Sequence, residues 1–162
     1  MLSKQLLVEN PQGHYAPATM DQVFEAARDA MQQKFRRGTA FTAPSAVKEY
    51  LWVQMVNYEH EVFVALFLDN QHRLIACTEL FRGTIDQAAV YPREVVKEAL
   101  RVNAAAVIFS HNHPSGSPSP SEADKRLTHR LVQAMGSVDI RVLDHIIVAG
   151  TETASFAEQG LI

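Results

Sequence analysis

A chain of 162 residues can build one domain with a substantial buried core and is too short for two comfortable ones. Hydrophobic residues make up 47% and charged residues 20%, the proportions of a globular protein, which argues against disorder. The formal charge of -3 leaves no global positive field to recruit nucleic acid, and a single cysteine excludes both an intramolecular disulfide and a Cys-rich metal site.

Cys77, in the segment Leu74-Ile75-Ala76-Cys77, reads as a small core residue. Met1 to Asn10 lacks the basic flank and long apolar run of a signal peptide. No stretch approaches the roughly 18 apolar residues of a membrane span. A cytoplasmic protein with no membrane contact is expected.

Residues 1–19, with Pro11, Gly13 and Pro17, are expected to form an extended or mobile arm. From Asp21 to Arg37, Val23, Phe24, Ala27, Met31 and Phe35 recur at helical spacing, and Gly38 suits the stop. A second helix is expected over Ser45 to Asn57, with Val47, Tyr50 and Leu51 on one face. The two helices would form a cap or a homodimer contact. Lys34, Arg36 and Arg37 read as a solvated helix end, where cations are favoured.

Val62 to Leu68 is an unbroken apolar run, short and β-branched enough for a strand buried on both faces. Asp69-Asn70 turns the chain, and Arg73 to Leu80 returns as a second strand. Pro92 opens a helix with Val95, Val96, Ala99 and Leu100 as its apolar face. Ala105 to Phe109 is the next buried strand, and a loop with three prolines and a glycine follows from His111 to Pro120. A helix from Ser121 turns Leu127, Leu131, Ala134 and Met135 inward and ends near Gly136. Ile140 to Ala149 is the last long strand, and Ser155-Phe156 begins a short edge piece. Alternating strands and helices predict an α/β (α+β) fold, a mixed sheet flanked by helices.

The chemistry is concentrated between Ser110 and Asp124. His111 and His113 leave the end of a buried strand one residue apart, so both imidazoles can point to one side. Asp124, in the first turn of the following helix, can close the triangle. Two imidazole nitrogens and one carboxylate oxygen give Zn²⁺ three ligands and leave a fourth position for water, the arrangement of a catalytic site. Zinc lowers the pKa of a bound water to about 7. His-x-His alone also suits an ordinary polar loop, and Ser121 with Asp124 three positions later equally fits a capping-box-like helix start. The two readings are compatible, because a capped first turn would hold the carboxylate still. His14, His60, His72 and His129 have no comparable partners and read as surface polar residues.

His-x-His, seven residues, Ser, two residues, Asp resembles the JAMM motif of MPN (JAB) domain metalloproteases. The wider text is similar to the RadC-like branch of that superfamily. Carrying the likeness are Val62 to Asp69, Leu80-Phe81-Arg82-Gly83-Thr84, Pro92-Arg93-Glu94-Val95, Asn103-Ala104-Ala105-Ala106, His111-Asn112-His113-Pro114-Ser115-Gly116 and Leu143-Asp144-His145. The likeness spans residues 44–157 and departs at Tyr91, where many relatives have His. It implies an MPN/JAB-like (cytidine-deaminase-like) architecture, with an N-terminal arm and helix over 1–43 and a RadC-like JAB/MPN metal-binding domain over 44–162. The chain also resembles a short form found on mobile elements and prophages, without the helix-hairpin-helix region of longer relatives.

The resemblance implies one Zn²⁺ per chain on His111, His113 and Asp124. Ser121 would hydrogen-bond the developing oxyanion. An upstream Glu would act as general base; Glu61, directly before the first buried strand, matches that placement, and Glu79 is the competitor. Asp144 and His145, which interrupt an apolar strand, are candidates to orient the imidazoles, or form a structural hydrogen bond. Arg93 would face substrate or pair with Glu94. The first expectation is a hydrolase of a peptide or isopeptide amide, with an unknown peptide or protein substrate. The second is a DNA-repair or recombination accessory protein, and the third a metal-dependent nuclease. The nuclease ranks last because no Lys/Arg cluster is expected beside the His loop.

Overall fold

In the computed structural model, residues 5–41, 43–83 and 90–162 are described. Met1 to Lys4 of the expected arm and Thr84 of the quoted motif lie outside the described residues. The rest of the arm is a hairpin instead. Strand β1 (Leu7–Glu9) pairs antiparallel with β2 (Tyr15–Pro17). The Asn10 side chain accepts from the backbone of Gln12 and His14 at 3.0 and 2.9 Å, and Gly13 sits at φ 79°. That Asn-centred turn folds a segment whose prolines suggest only extension.

Helix α1 (Met20–Lys34) starts from Thr19, whose side chain accepts from Gln22 N while the Gln22 side chain accepts from Thr19 N. Helix α2 (Pro44–Met55) begins with its proline in the first turn, where a missing N–H costs nothing. Strand β3 (Val62–Leu68) is buried at all seven positions. The Asp69 carboxylate accepts from Gln71 N and Arg73 N to turn the chain into β4 (Leu74–Arg82). Then follow α3 (Pro92–Arg101), β5 (Ala106–Asn112), α4 (Glu122–Gly136), β6 (Arg141–Ala149) and β7 (Glu152–Ser155).

The sheet has the order β4-β3-β5-β6-β7 and is mixed, as expected. Only β5 and β6 run parallel, joined through α4; the other neighbours are antiparallel. Side-chain alternation divides the core in two. Val62, Val64, Leu66 and Leu68 of β3 and Ala106 and Ile108 of β5 pack with α1 and α2. Phe63, Ala65 and Phe67, with Val107 and Phe109, pack with α3 and α4. Each fully buried Phe contributes about 1.5–3 kcal/mol relative to exposure.

Three local expectations are corrected. Strand β5 runs on to Asn112 rather than stopping at Phe109, because it is laddered on both sides: Phe63 opposes His111 and Asn112 opposes Val148. His111 therefore lies within the strand rather than starting a loop. Leu100 is 57% exposed, because the inward stripe of α3 is Val95 and Ala99. Cys77, on edge strand β4, is exposed rather than a full core residue, although its thiol meets buried Tyr50 and is pushed up to about 11 by burial. Among the described residues no helix is long and apolar enough to cross a membrane.

These burial differences have measurable consequences. Leu131→Ala in the α3/α4 core should cost about 2–5 kcal/mol. Leu100→Ala should stay within about 0.5 kcal/mol of the parent. Denaturant melts of the two variants check the register of α3 against that of α4.

Candidate metal centre

At the tip of β5, the His111 imidazole is fully enclosed, and the chain continues to His113, whose backbone N–H donates to Val148 of β6 at 2.8 Å. Helix α4 brings up Asp124 in its first turn, 2% exposed. Ser121 caps that helix: its Oγ accepts from Asp124 N at 3.1 Å, and its own N–H donates to Asp124 Oδ2 at 2.7 Å. The capping box thus fixes the carboxylate it contains.

The three side chains converge. His111 Nε2 lies 2.9 Å from His113 Nε2 and 3.3 Å from Asp124 Oδ1, and His113 Nε2 lies 3.4 Å from Asp124 Oδ2. His111, His113 and Asp124 are a group of described residues that could hold a metal ion. Ligands about 2.0–2.1 Å from a tetrahedral zinc stand roughly 3.3 Å apart, so the spacing fits. The donor set fits too. His113 Nδ1 faces the Ser117 carbonyl at 2.7 Å, and a carbonyl only accepts, so Nδ1 carries the hydrogen and the neutral ring turns a lone pair inward at Nε2.

Burial pushes the Asp124 carboxyl up, but the two imidazoles beside it, His111 and His113, outweigh burial and hold the group well below the usual carboxylate range. The Asp124 hydrogen bond raises the His113 pKa, burial opposes it, and the charge of Glu61 adds to the rise. Complete burial pushes His145 well below the usual imidazole range.

The two candidate bases part company on the sheet. Glu61 precedes Val62, shares the parity of Phe63 and so lies on the His111 face, close enough for its charge to act on His113. Glu79 opposes Val64, on the α1/α2 face, and makes paired 2.7 Å contacts with Arg82. That partner lowers the Glu79 pKa.

Asp144 and His145 also point to opposite faces. His145 opposes Phe109, is 0% exposed, and places Nε2 2.8 Å from His111 Nδ1. Asp144 instead accepts from His145 N, Ser155 Oγ and Ala157 N, tying β7 and the turn after it to β6. Arg93 is 81% exposed, pairs with Glu94 at 3.5 Å and lies over the Tyr91 ring, and is not brought to the triad.

Sequence reasoning missed two residues. Thr128 is buried, in contact with His145 and with the carbonyl of Asp124. Its signal was a polar residue on the inward stripe Asp124, Thr128, Leu131, Met135. Asn112 accepts from Val62 N at 2.7 Å and donates to the carbonyls of Tyr58 and His60, clasping the segment that bears Glu61. A basic group was missed as well. Lys125, Arg126, His129 and Arg130 line one shallow surface depression of α4, so Lys and Arg do follow the His loop. Arg126 is two residues from Asp124, roughly 200° around the helix, so this surface faces away from the triad.

Comparison with known proteins agrees with this geometry. The family described as RadC-like JAB domain matches residues 41–161. A UPF0758 protein of Vibrio cholerae is 59% identical over 138 residues, covering 85% of this chain and 87% of the relative. UPF0758 proteins of Methylibium petroleiphilum and Marinobacter nauticus are each 54% identical over 145 residues, 90% of this chain. The chain spans 65% of the length of those two.

Two variants separate ligand from scaffold. Asp124→Ala should abolish stoichiometric zinc binding in elemental analysis. Asp144→Ala should lower the melting temperature, at about 1.5–3 kcal/mol per lost charged hydrogen bond, and leave zinc content unchanged. Full zinc in Asp124→Ala would remove that residue from the ligand set.

Proposed function

The chain belongs to the RadC-like JAB domain family, and from that premise we propose that it is a zinc-dependent hydrolase of peptide or isopeptide amides. The observation that carries this reading is the convergence of His111 Nε2, His113 Nε2 and the Asp124 carboxylate, one protein ligand fewer than tetrahedral zinc takes. Zinc held there would supply Lewis acidity toward the substrate carbonyl and make water more acidic. One ion per chain follows from the one such triad among the described residues.

Glu61 takes the proton of the attacking water and returns it to the leaving amine. Its place on the His111 side of the sheet supports this assignment over Glu79, whose carboxylate is spent on Arg82. Ser121 Oγ uses a lone pair as helix cap, so its proton remains to donate to the developing oxyanion. A cavity of about 210 Å³ lined by Met55, Val56, Tyr58, Pro114 and Val148 also touches His113, and offers room for a substrate side chain beside the triad.

A second reading, a DNA-linked accessory protein, has the basic depression on α4 in its favour. Because that surface faces away from Asp124, it favours binding over phosphodiester cleavage. Binding to it would weaken steeply with salt.

Glu61→Gln keeps size and hydrogen bonding but cannot take the proton. Zinc should stay bound while turnover falls about 10²–10⁴-fold. Glu79→Gln should retain most of the rate. Both are assayed zinc-loaded, on substrates found by screening peptides against single- and double-stranded DNA. An unimpaired Glu61→Gln beside an inactive Glu79→Gln would reverse the assignment.

Ser121→Asp keeps a good cap but sets a negative charge where the oxyanion forms. Near-parental melting with very low turnover is expected. Parental turnover would leave capping as the whole role of Ser121.

A further inference from the structure

We infer that Thr128 and His145 form a directional hydrogen-bond relay that fixes the tautomer of His111, which makes both of them positioning residues for the metal ligand. The inference rests on the zinc reading above and adds how the site is kept in its ligating form.

The direction of the relay follows from its fixed end. Thr128 Oγ1 lies 2.7 Å from the main-chain carbonyl of Asp124, one turn back along α4. A carbonyl can only accept, so the single hydroxyl proton points there. The remaining Thr128 lone pairs face His145 Nδ1, which must then carry its hydrogen and donate. His145 is fully buried, and its other neighbours are the rings of Phe63, Phe109 and Phe156. A neutral imidazole has one N–H, so His145 Nε2 is left as an acceptor. It faces His111 Nδ1 at 2.8 Å, which therefore donates. His111 then has a bare lone pair at Nε2, the atom that faces His113 and Asp124.

The opposite direction loses a hydrogen bond at one end and the ligating lone pair at the other. If Thr128 donated to His145, the Asp124 carbonyl would lose that bond and His111 would carry its hydrogen on Nε2. That tautomer cannot ligate a metal through Nε2. The relay runs from the main chain of one ligand to the ring of another, so the seating of α4 and the protonation pattern of His111 are set together. The Phe156 ring, stacked on His145 at 4.7 Å and 20°, opposes a ring flip that would exchange the two nitrogens. Outer-shell partners of this kind are typically worth about 10–100-fold in metal affinity.

Long-range ¹H–¹⁵N correlation of the imidazoles in the full chain, zinc-loaded and zinc-free, tests the relay without a substrate. His145 should be the Nδ1–H tautomer, the less common form of a free imidazole, in both samples. An Nε2–H form at His145 would overturn the proposal. Thr128→Val removes the acceptor at nearly constant volume, and zinc affinity measured by chelator competition should fall about 10–100-fold. Thr128→Ser should restore it to near the parental value. Parental affinity and an unchanged His145 tautomer in Thr128→Val would also overturn the relay. If the valine variant does not fold, the parental tautomer and the serine variant still decide. A chain that binds zinc with the expected tautomer but hydrolyses no amide would defeat the hydrolase reading and uphold this one.

Discussion

Three electron-pair donors, two of them buried and His113 partly open, face one another across about a hydrogen-bond distance, and the rest of the domain is arranged to hold them there. Two imidazole lone pairs and a carboxylate would repel each other in isolation, and burying the carboxylate alone would cost several kcal/mol. A shared cation would remove both penalties. The scaffold must then keep the donors together without help from the ion. It does so with strand β5, hydrogen-bonded along both edges and packed on both faces, and with a capping box that uses Asp124 as one of its members.

The division of the sheet into two faces distributes the work among neighbouring residues. His111, on the α3/α4 side, meets Asp124 and His145. Asn112 points the other way and grips Tyr58, His60 and Val62. His113 follows the last strand position and closes the triad from the loop, held by its own backbone bond to Val148 and by the Ser117 carbonyl. Any one-residue slip of β5 would exchange these roles, so the pairing of Phe63 with His111 is as much a property of the site as of the fold.

Much of this was legible in the residues because it rests on local pattern. The apolar run of β3 occupies the expected positions to the residue, and His111, His113 and Asp124 lie together in space. The hairpin of residues 7–17 was not legible, since it depends on one asparagine side chain turning back on its neighbours. The true end of β5 was hidden because its partners are distant in sequence, near residues 63 and 148. Thr128 and Asn112 escaped for the same reason: their partners lie 17 and about 50 residues away. Alternation told Asp144 from His145 only once the strand register was known, which makes one a tie for β7 and the other a neighbour of His111.

Asn112 explains why a base at Glu61 could stay accurately placed while lying outside regular structure. Its amide group satisfies two carbonyls and one N–H of the segment leading into β3, and Gly83 N donates to the Glu61 carbonyl at 2.9 Å. The residue before β3 is thus fixed from both sides, by the strand that carries His111 and by the end of β4. Catalysis by preorganised groups requires such anchoring, because a base that must be ordered during the reaction gives up part of its advantage. Glu79, on the far face and engaged with Arg82, has no comparable path to the triad. On the proposed reading the same strand tip would supply ligand, clamp and ligand in three consecutive residues, and the clamp would tie the acid–base chemistry to the metal chemistry.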